Sequence, residues 1–173
     1  IEKNNLQVIW FASCNIDVNS KQISKTFFNP PLENTKDSFI RTAKGEGRST
    51  LSEYIFSRKS YLNHRFKDFP VGFGSDNVAW LEFSEFGNLY SINDSIVSIR
   101  ISPEHLSSTS NKDIRYLRRK GVYVFMKYII QNYASHFSVD EKELILRRAY
   151  RSLRYYSRNE KKTARFVFFM MRY

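Results

Sequence analysis

An aspartate placed just after a sharp turn, at the start of a helix, can take the proton from a hydroxyl held against it. Asp76 has that setting. The string Phe69-Pro70-Val71-Gly72-Phe73-Gly74-Ser75-Asp76-Asn77 puts it behind two glycines and at the amino end of a helix predicted over 75–85, where the helix dipole favours an ionised carboxylate. Ser75 and Asn77 flank it, Trp80 follows one turn later, and Arg100 closes a later strand, where a guanidinium can pair a carboxylate or a diphosphate. Each of these has an alternative reading. Asp is a common helix cap, and on residue type and spacing alone the cap is the more frequent role for Asp76; Trp80 suits a buried core equally well; and Arg100 could serve a structural ion pair with Asp76. His105 is an isolated histidine in a polar loop, more often solvated than a metal ligand, and no metal is assigned to it. Asp17 stands alone in a turn, and no Asp-x-Asp pair occurs anywhere in the chain.

These residues must be positioned by an α/β scaffold. Gln7 to Cys14 is a nearly continuous apolar run, as expected for a central strand buried on both faces. Asn15 to Lys25 is polar and turn-forming, a loop or edge hairpin closed by Asn29-Pro30-Pro31. A short helix is expected over 35–42, ending in a basic glycine-containing loop, then a strand over 51–56 and a helical turn near 60–63. Beyond the helix at 75–85, which stops near Gly87, two brief strands are expected at 89–92 and 95–101.

The last third is helical and basic. Residues 1–110 hold 12 Lys/Arg and 12 Asp/Glu, whereas residues 111–173 hold 16 and 5, so the whole net charge of +11 lies in the tail. Ser138 and Glu141 have capping-box spacing, and Ser110 with Asp113 is a near variant. Helices are predicted over 111–134 and 139–156, with a third from 159 to the end. In the second, Leu144, Ile145, Ala149 and Leu153 make an apolar stripe beside Arg147, Arg148, Arg151 and Arg154. The division expected from charge is therefore 1–110 and 111–173. Cys14 is the only cysteine, which excludes an internal disulfide and reads as a small buried hydrophobe in a reducing compartment. No stretch reaches the roughly 18 apolar residues that span a bilayer, and no signal-peptide layout opens the chain. Its start at Ile1, with a polar stub running into an apolar segment, reads as a piece of a longer polypeptide.

Residues 52–108 resemble family 2 glycosyltransferases of the GT-A fold, in which an apolar strand and short helix lead to a glycine turn, an acidic residue and a helix with a Trp-Leu pair. Here these are Tyr54-Ile55-Phe56-Ser57-Arg58, Phe66-Lys67-Asp68-Phe69-Pro70, and Gly74-Ser75-Asp76-Asn77-Val78-Ala79-Trp80-Leu81. Gly87 to Ile92, Val97 to Ser102 and Leu106-Ser107-Ser108 resemble the segments that follow, and Val8 to Lys21 is similar to the strand and turn after the family's metal-binding acidic motif. The resemblance implies an incomplete GT-A-like sheet with flanking helices and a small helical tail. It implies Asp76 as the general base, with Trp80, Arg100, Ser75 and Asn77 contacting substrate, and an inverting transfer from a nucleotide-sugar donor to a glycan or lipid-linked acceptor in cell-surface polysaccharide or glycan synthesis. Many members carry two adjacent acidic residues, where this chain has Ser75, Asp76 and Asn77. The Mg or Mn ion of such enzymes would find its ligands outside this chain, which is expected to be inactive alone. A cytoplasmic location follows, peripheral at the inner face of the membrane if the acceptor is lipid-linked.

Two non-catalytic readings compete. The tail tyrosines among arginines could bind nucleic acid, but most fall at helical intervals among Val, Ile and Leu, the pattern of an aromatic helical core, and nucleic acid is not the expected partner. Alternatively, Lys161, Lys162, Arg165 and Arg172 around Phe166 to Met171 could dock on an anionic membrane, or that segment could pack on protein.

Overall fold

The computed structural model of the chain describes residues 6–102 and 111–156, with 165, 166 and 169. Two compact units result: residues 1–66 with 79–109, and residues 67–78 with 110–173. In this division residues 67–78 group with the helical tail and not with the strands.

The first unit is mixed α/β. Its sheet has the order β2-β4-β1-β3, from Val8–Ile16 (β1), Leu32–Asn34 (β2), Tyr54–Phe56 (β3) and Asn88–Arg100 (β4). β1 runs parallel to β4 and antiparallel to β3, so the apolar run at its centre is an interior strand as expected. Its burial is fuller on one face than on the other. Val8, Trp10, Ala12 and Cys14 are buried on one face, while on the other Leu32, Tyr90, Ile9 and Ile55 line up in one cross-strand row whose first, second and fourth members are exposed.

Two expected strands are one. β4 is continuous, but Phe11 pairs with Ile92 and Ala12 with Ile96, so residues 93–95 bulge from the ladder. Asn93 fastens the bulge, accepting from Asn29 N at 3.1 Å and donating to Asn29 O at 2.8 Å. The strand expected over 51–56 is a 3-10 turn at Leu51–Glu53 followed by β3.

The helices Thr35–Lys44 (α1), Arg58–His64 (α2) and Ser75–Phe83 (α3) complete this part of the chain. Asn34 and Ser57 cap the first two by accepting from Lys36 N and Ser60 N. α3 stops where Glu85 and Phe86, neither a glycine, both turn left-handed, at φ 52° and 58°. That turn aims the Phe86 carbonyl at Asn34 Nδ2 (3.0 Å) and the Gly87 carbonyl at Thr35 N (2.9 Å) and Oγ1 (2.7 Å), so the end of one helix satisfies the start of another.

The core is aromatic. Trp10, Tyr54 and Trp80 form a three-ring stack, with centroids 5.2 and 4.2 Å apart, and Phe56, Tyr61, Phe66 and Phe83 pack around it. Arg41 lies 5.5 Å over Trp10 and grips Glu33 through Nε (2.9 Å) and Nη2 (2.7 Å), which pushes the guanidinium pKa further up.

The second unit is built on Lys112–Tyr133 (α4) and Val139–Tyr156 (α5). Ser138 and Glu141 form the expected reciprocal box, Ser138 N donating at 2.8 Å and Glu141 N at 3.3 Å. At the other helix the cap is Asn111, whose side chain accepts from Asp113 N and Ile114 N; Ser110 lies outside the described residues. Phe125, Met126, Ile129, Ile130, Phe137, Ile145, Ala149 and Leu153 are buried here, Tyr123, Tyr128, Tyr133 and Tyr150 are half-buried, and Tyr116 and Tyr155 are exposed. Most of the expected third helix lies outside the described residues. Phe166 is buried against Tyr123 at 5.3 Å and stacks on Phe169, so at these positions the apolar segment packs on protein.

Candidate functional site

Asp76 owes its place to a tight turn with three left-handed residues, two of them glycine. After Phe69, the backbone is left-handed at Val71 (φ 52°), Gly72 (φ 66°) and Gly74 (φ 95°). The turn is seated on α4: a Cβ on Gly74 would overlap the ring of Phe125, and one on Gly121 would lie 2.9 Å from the Pro70 carbonyl oxygen. Phe69 adds ring contacts to Phe125 and Tyr128. α3 then begins, Val78 N donating to Gly74 O at 3.1 Å, with Asp76 in its first turn.

The carboxyl is held on one side. Asp76 Oδ1 accepts from Asn77 N at 2.8 Å and from Asn77 Nδ2 at 3.0 Å, while Oδ2 has no hydrogen bond among the described residues. It therefore satisfies one free donor of the helix start, as a cap would, and keeps one oxygen available. Burial pushes its pKa above the ordinary carboxylate range, against the opposing pull of the Asn77 bonds. Burial thus acts in the direction opposite to the helix start, which is expected to favour the carboxylate. Ser75 and Asn77 are half-buried beside it.

The other expected site residues have work of their own. Trp80 is 4 % exposed and stacked on Tyr54, a core position. Arg100 donates through Nη1 to the carbonyls of Asp17 (2.6 Å) and Val18 (2.8 Å) and through Nη2 to Ser20 Oγ (2.9 Å), clamping the turn after β1. Asp17 shapes the same turn, its Oδ1 accepting from Asn19 N and Lys21 N. Cys14 is buried, 3.8 Å from Ser98 Oγ. His105 lies outside the described residues. Among the described residues no three His, Cys, Asp or Glu side chains cluster, so they offer no cage for the expected divalent cation.

Two features escape the motif reading. Glu53, 1 % exposed, takes Thr50 N on Oε1 at 2.7 Å and leaves Oε2 buried without a close hydrogen bond among the described residues; burial raises its pKa, against the opposing pull of Ser13, Thr50 and Arg48. The Thr50-x-x-Glu53 spacing is the signal that could have found it. A polar cleft of about 510 Å³ lies where β1 and β4 begin, lined by Gln7, Lys59, Asn63, Glu85 and Asn88 among others, and nothing in the sequence pattern joins those positions. No family model, curated protein or solved structure matches the chain.

Proposed function

We propose that the chain is the acceptor-side part of a GT-A glycosyltransferase similar to family 2, with Asp76 as the general base. The observation that carries this reading is the state of that one carboxyl: anchored through Oδ1 on Asn77, open at Oδ2, and made more basic by burial. A base is more effective as its pKa climbs toward the working pH, and desolvation moves Asp76 in that direction.

In the proposed reaction an acceptor hydroxyl meets Asp76 Oδ2. Its proton passes to the carboxylate as the oxygen attacks the anomeric carbon of the donor; the glycosidic C–O bond forms, the bond to the nucleoside diphosphate breaks, and the electron pair leaves on the diphosphate. Attack opposite the leaving group inverts the anomeric centre. Ser75 and Asn77 flank the base and orient the acceptor. Trp80 contributes by fixing α3 through the aromatic stack, and Arg100 by holding the turn after β1. The divalent cation of such enzymes has no ligand set among the described residues, and no step here runs through it.

The test pairs binding with transfer. Acceptor oligosaccharides titrated into the chain should shift the amide resonances of residues 72–77, in the Asp76→Asn variant as well as the native chain. In a preparation that supplies the sugar-nucleotide half, Asp76→Asn should lower transfer by roughly 10²- to 10⁴-fold. Undiminished transfer by that variant, or turnover of a nucleotide sugar by this chain alone, overturns the reading.

A further inference from the structure

The helical unit carries its charge at one end. α4 and α5 run antiparallel, joined by residues 134–138, and Arg119 near the start of α4 lies 4.9 Å over the ring of Tyr155 near the end of α5. Residues 112–120 hold five Lys/Arg against Asp113 alone, and residues 147–156 hold four arginines and no acid. The other acids of the pair stand at the opposite end: Asp140, Glu141 in the capping box, and Glu143, whose Oε1 accepts from both Nε and Nη2 of Arg147. At the basic end Lys112, Arg115, Arg119, Lys120, Arg151 and Arg154 are all exposed. Repulsion from Arg119 and Arg151 adds to burial in lowering the Arg148 pKa, so these cations crowd one another.

We infer that this end of the helical hairpin docks on an anionic lipid bilayer. A gradient from basic end to acidic end suits an extended plane of negative charge, which attracts one end and repels the other. Tyr116 and Tyr155, exposed aromatics among the described side chains of these two helices, sit at the basic end, and tyrosine favours the headgroup region of a bilayer. Nucleic acid fits less well, because bases stack on open aromatic faces and one face of Tyr155 already carries the Arg119 guanidinium. The inference is independent of the glycosyltransferase reading; either can fail alone.

Co-sedimentation of the whole chain with vesicles tests it, using phosphatidylcholine alone and phosphatidylcholine mixed with phosphatidylglycerol. Binding is expected only to the anionic vesicles and should weaken as salt is raised. Each Lys or Arg near such a surface changes partition roughly fivefold, so the combined variant Arg115→Gln, Arg119→Gln, Arg151→Gln, Arg154→Gln should bind about 10²- to 10³-fold more weakly. Lys142→Gln, at the other end, should change it less than about twofold. Circular dichroism checks that the variant keeps its helices; if it does not, the lipid and salt series on the native chain decides. Equal binding to neutral vesicles, no binding to anionic ones, indifference to salt, a folded variant that binds like the native chain, or tighter binding to oligonucleotides at equal phosphate concentration overturns the inference.

Discussion

Gly72 and Gly74 stand two residues apart in the turn before Asp76, and replacing each by alanine separates two costs. At Gly72 (φ 66°) a Cβ meets nothing within 4 Å, so Gly72→Ala should cost only the left-handed backbone, about 1 to 2 kcal/mol. At Gly74 (φ 95°) the same penalty is joined by overlap with the Phe125 ring, and forcing a methyl into a packed site adds about 1 to 3 kcal/mol. Gly74→Ala should therefore cost roughly 2 to 5 kcal/mol, a large share of the stability of about 5 to 15 kcal/mol typical of a domain. Urea unfolding followed by far-ultraviolet circular dichroism, to which α4 and α5 contribute strongly, gives both values. A double-mutant cycle with Phe125→Leu supplies the decisive term: trimming the ring should return about 1 to 3 kcal/mol of the Gly74→Ala cost and none of the Gly72→Ala cost. If Gly74→Ala is no worse than Gly72→Ala, or if the cycle shows no coupling, the close seating of this turn on α4 is wrong.

Gly121→Ala sets helix propensity, which favours alanine by about 1 kcal/mol, against a Cβ 2.9 Å from the Pro70 carbonyl oxygen; the clash should win, and a gain in thermal stability would refute it. Asp76 binds its proton more tightly folded than unfolded, so its contribution to stability is fully present below the ordinary Asp range and is lost as pH rises through the folded pKa. The native chain minus Asp76→Asn should show that slope in unfolding measured from acid to neutral pH, and a difference that grows with pH instead would reverse the assignment. Glu53→Gln keeps an oxygen for Thr50 N and removes a desolvated charge, so it should stabilise by about 1 to 2 kcal/mol at neutral pH and lose that advantage in acid, as calorimetry at two pH values would report. Tyr54→Ala removes the middle ring of the stack and should cost about 3 to 5 kcal/mol, whereas Tyr54→Phe loses chiefly the 3.0 Å bond to Ser49 Oγ and should cost about 0.5 to 1.5 kcal/mol; tryptophan fluorescence follows both.

What the sequence made legible was local. The interior strand is written in the run from Val8 to Cys14, the second tail helix in its Ile145, Ala149 and Leu153 stripe, and its start in the Ser138 to Glu141 spacing. What it hid depends on partners distant in the chain. Asn93-Asp94-Ser95 reads as a turn between two strands, yet the chain carries straight on because Asn29, 64 residues earlier, holds the bulge. The helix stop near Gly87 is foreseeable, but the left-handed residues are Glu85 and Phe86, whose turned carbonyls serve α1. Residues 67–78 resemble a lead-in to α3, yet they belong with the tail because Gly74 and Gly121 permit contacts with Phe125 and Pro70 respectively. Trp80 reads equally as pocket wall or core until Trp10 and Tyr54 are brought beside it.

The same reasoning explains why the pKa of Asp76 moves up although its position favours the ionised form. Two influences visible in the sequence, the helix start and the neighbouring Asn77, both favour the carboxylate. Burial opposes the Asn77 bonds and prevails over them, and burial is a matter of packing. The turn that carries Asp76 is held down by residues with no chemistry of their own: Gly74 leaves room for Phe125, and Gly121 leaves room for the Pro70 carbonyl. Burial raises the pKa of Glu53 as well, in a carboxyl that caps a turn, so the direction of the shift alone does not separate a base from a cap. What distinguishes Asp76 is geometry: Oδ1 is engaged twice by Asn77, while Oδ2 has no hydrogen bond among the described residues and is the oxygen for the proton transfer proposed above.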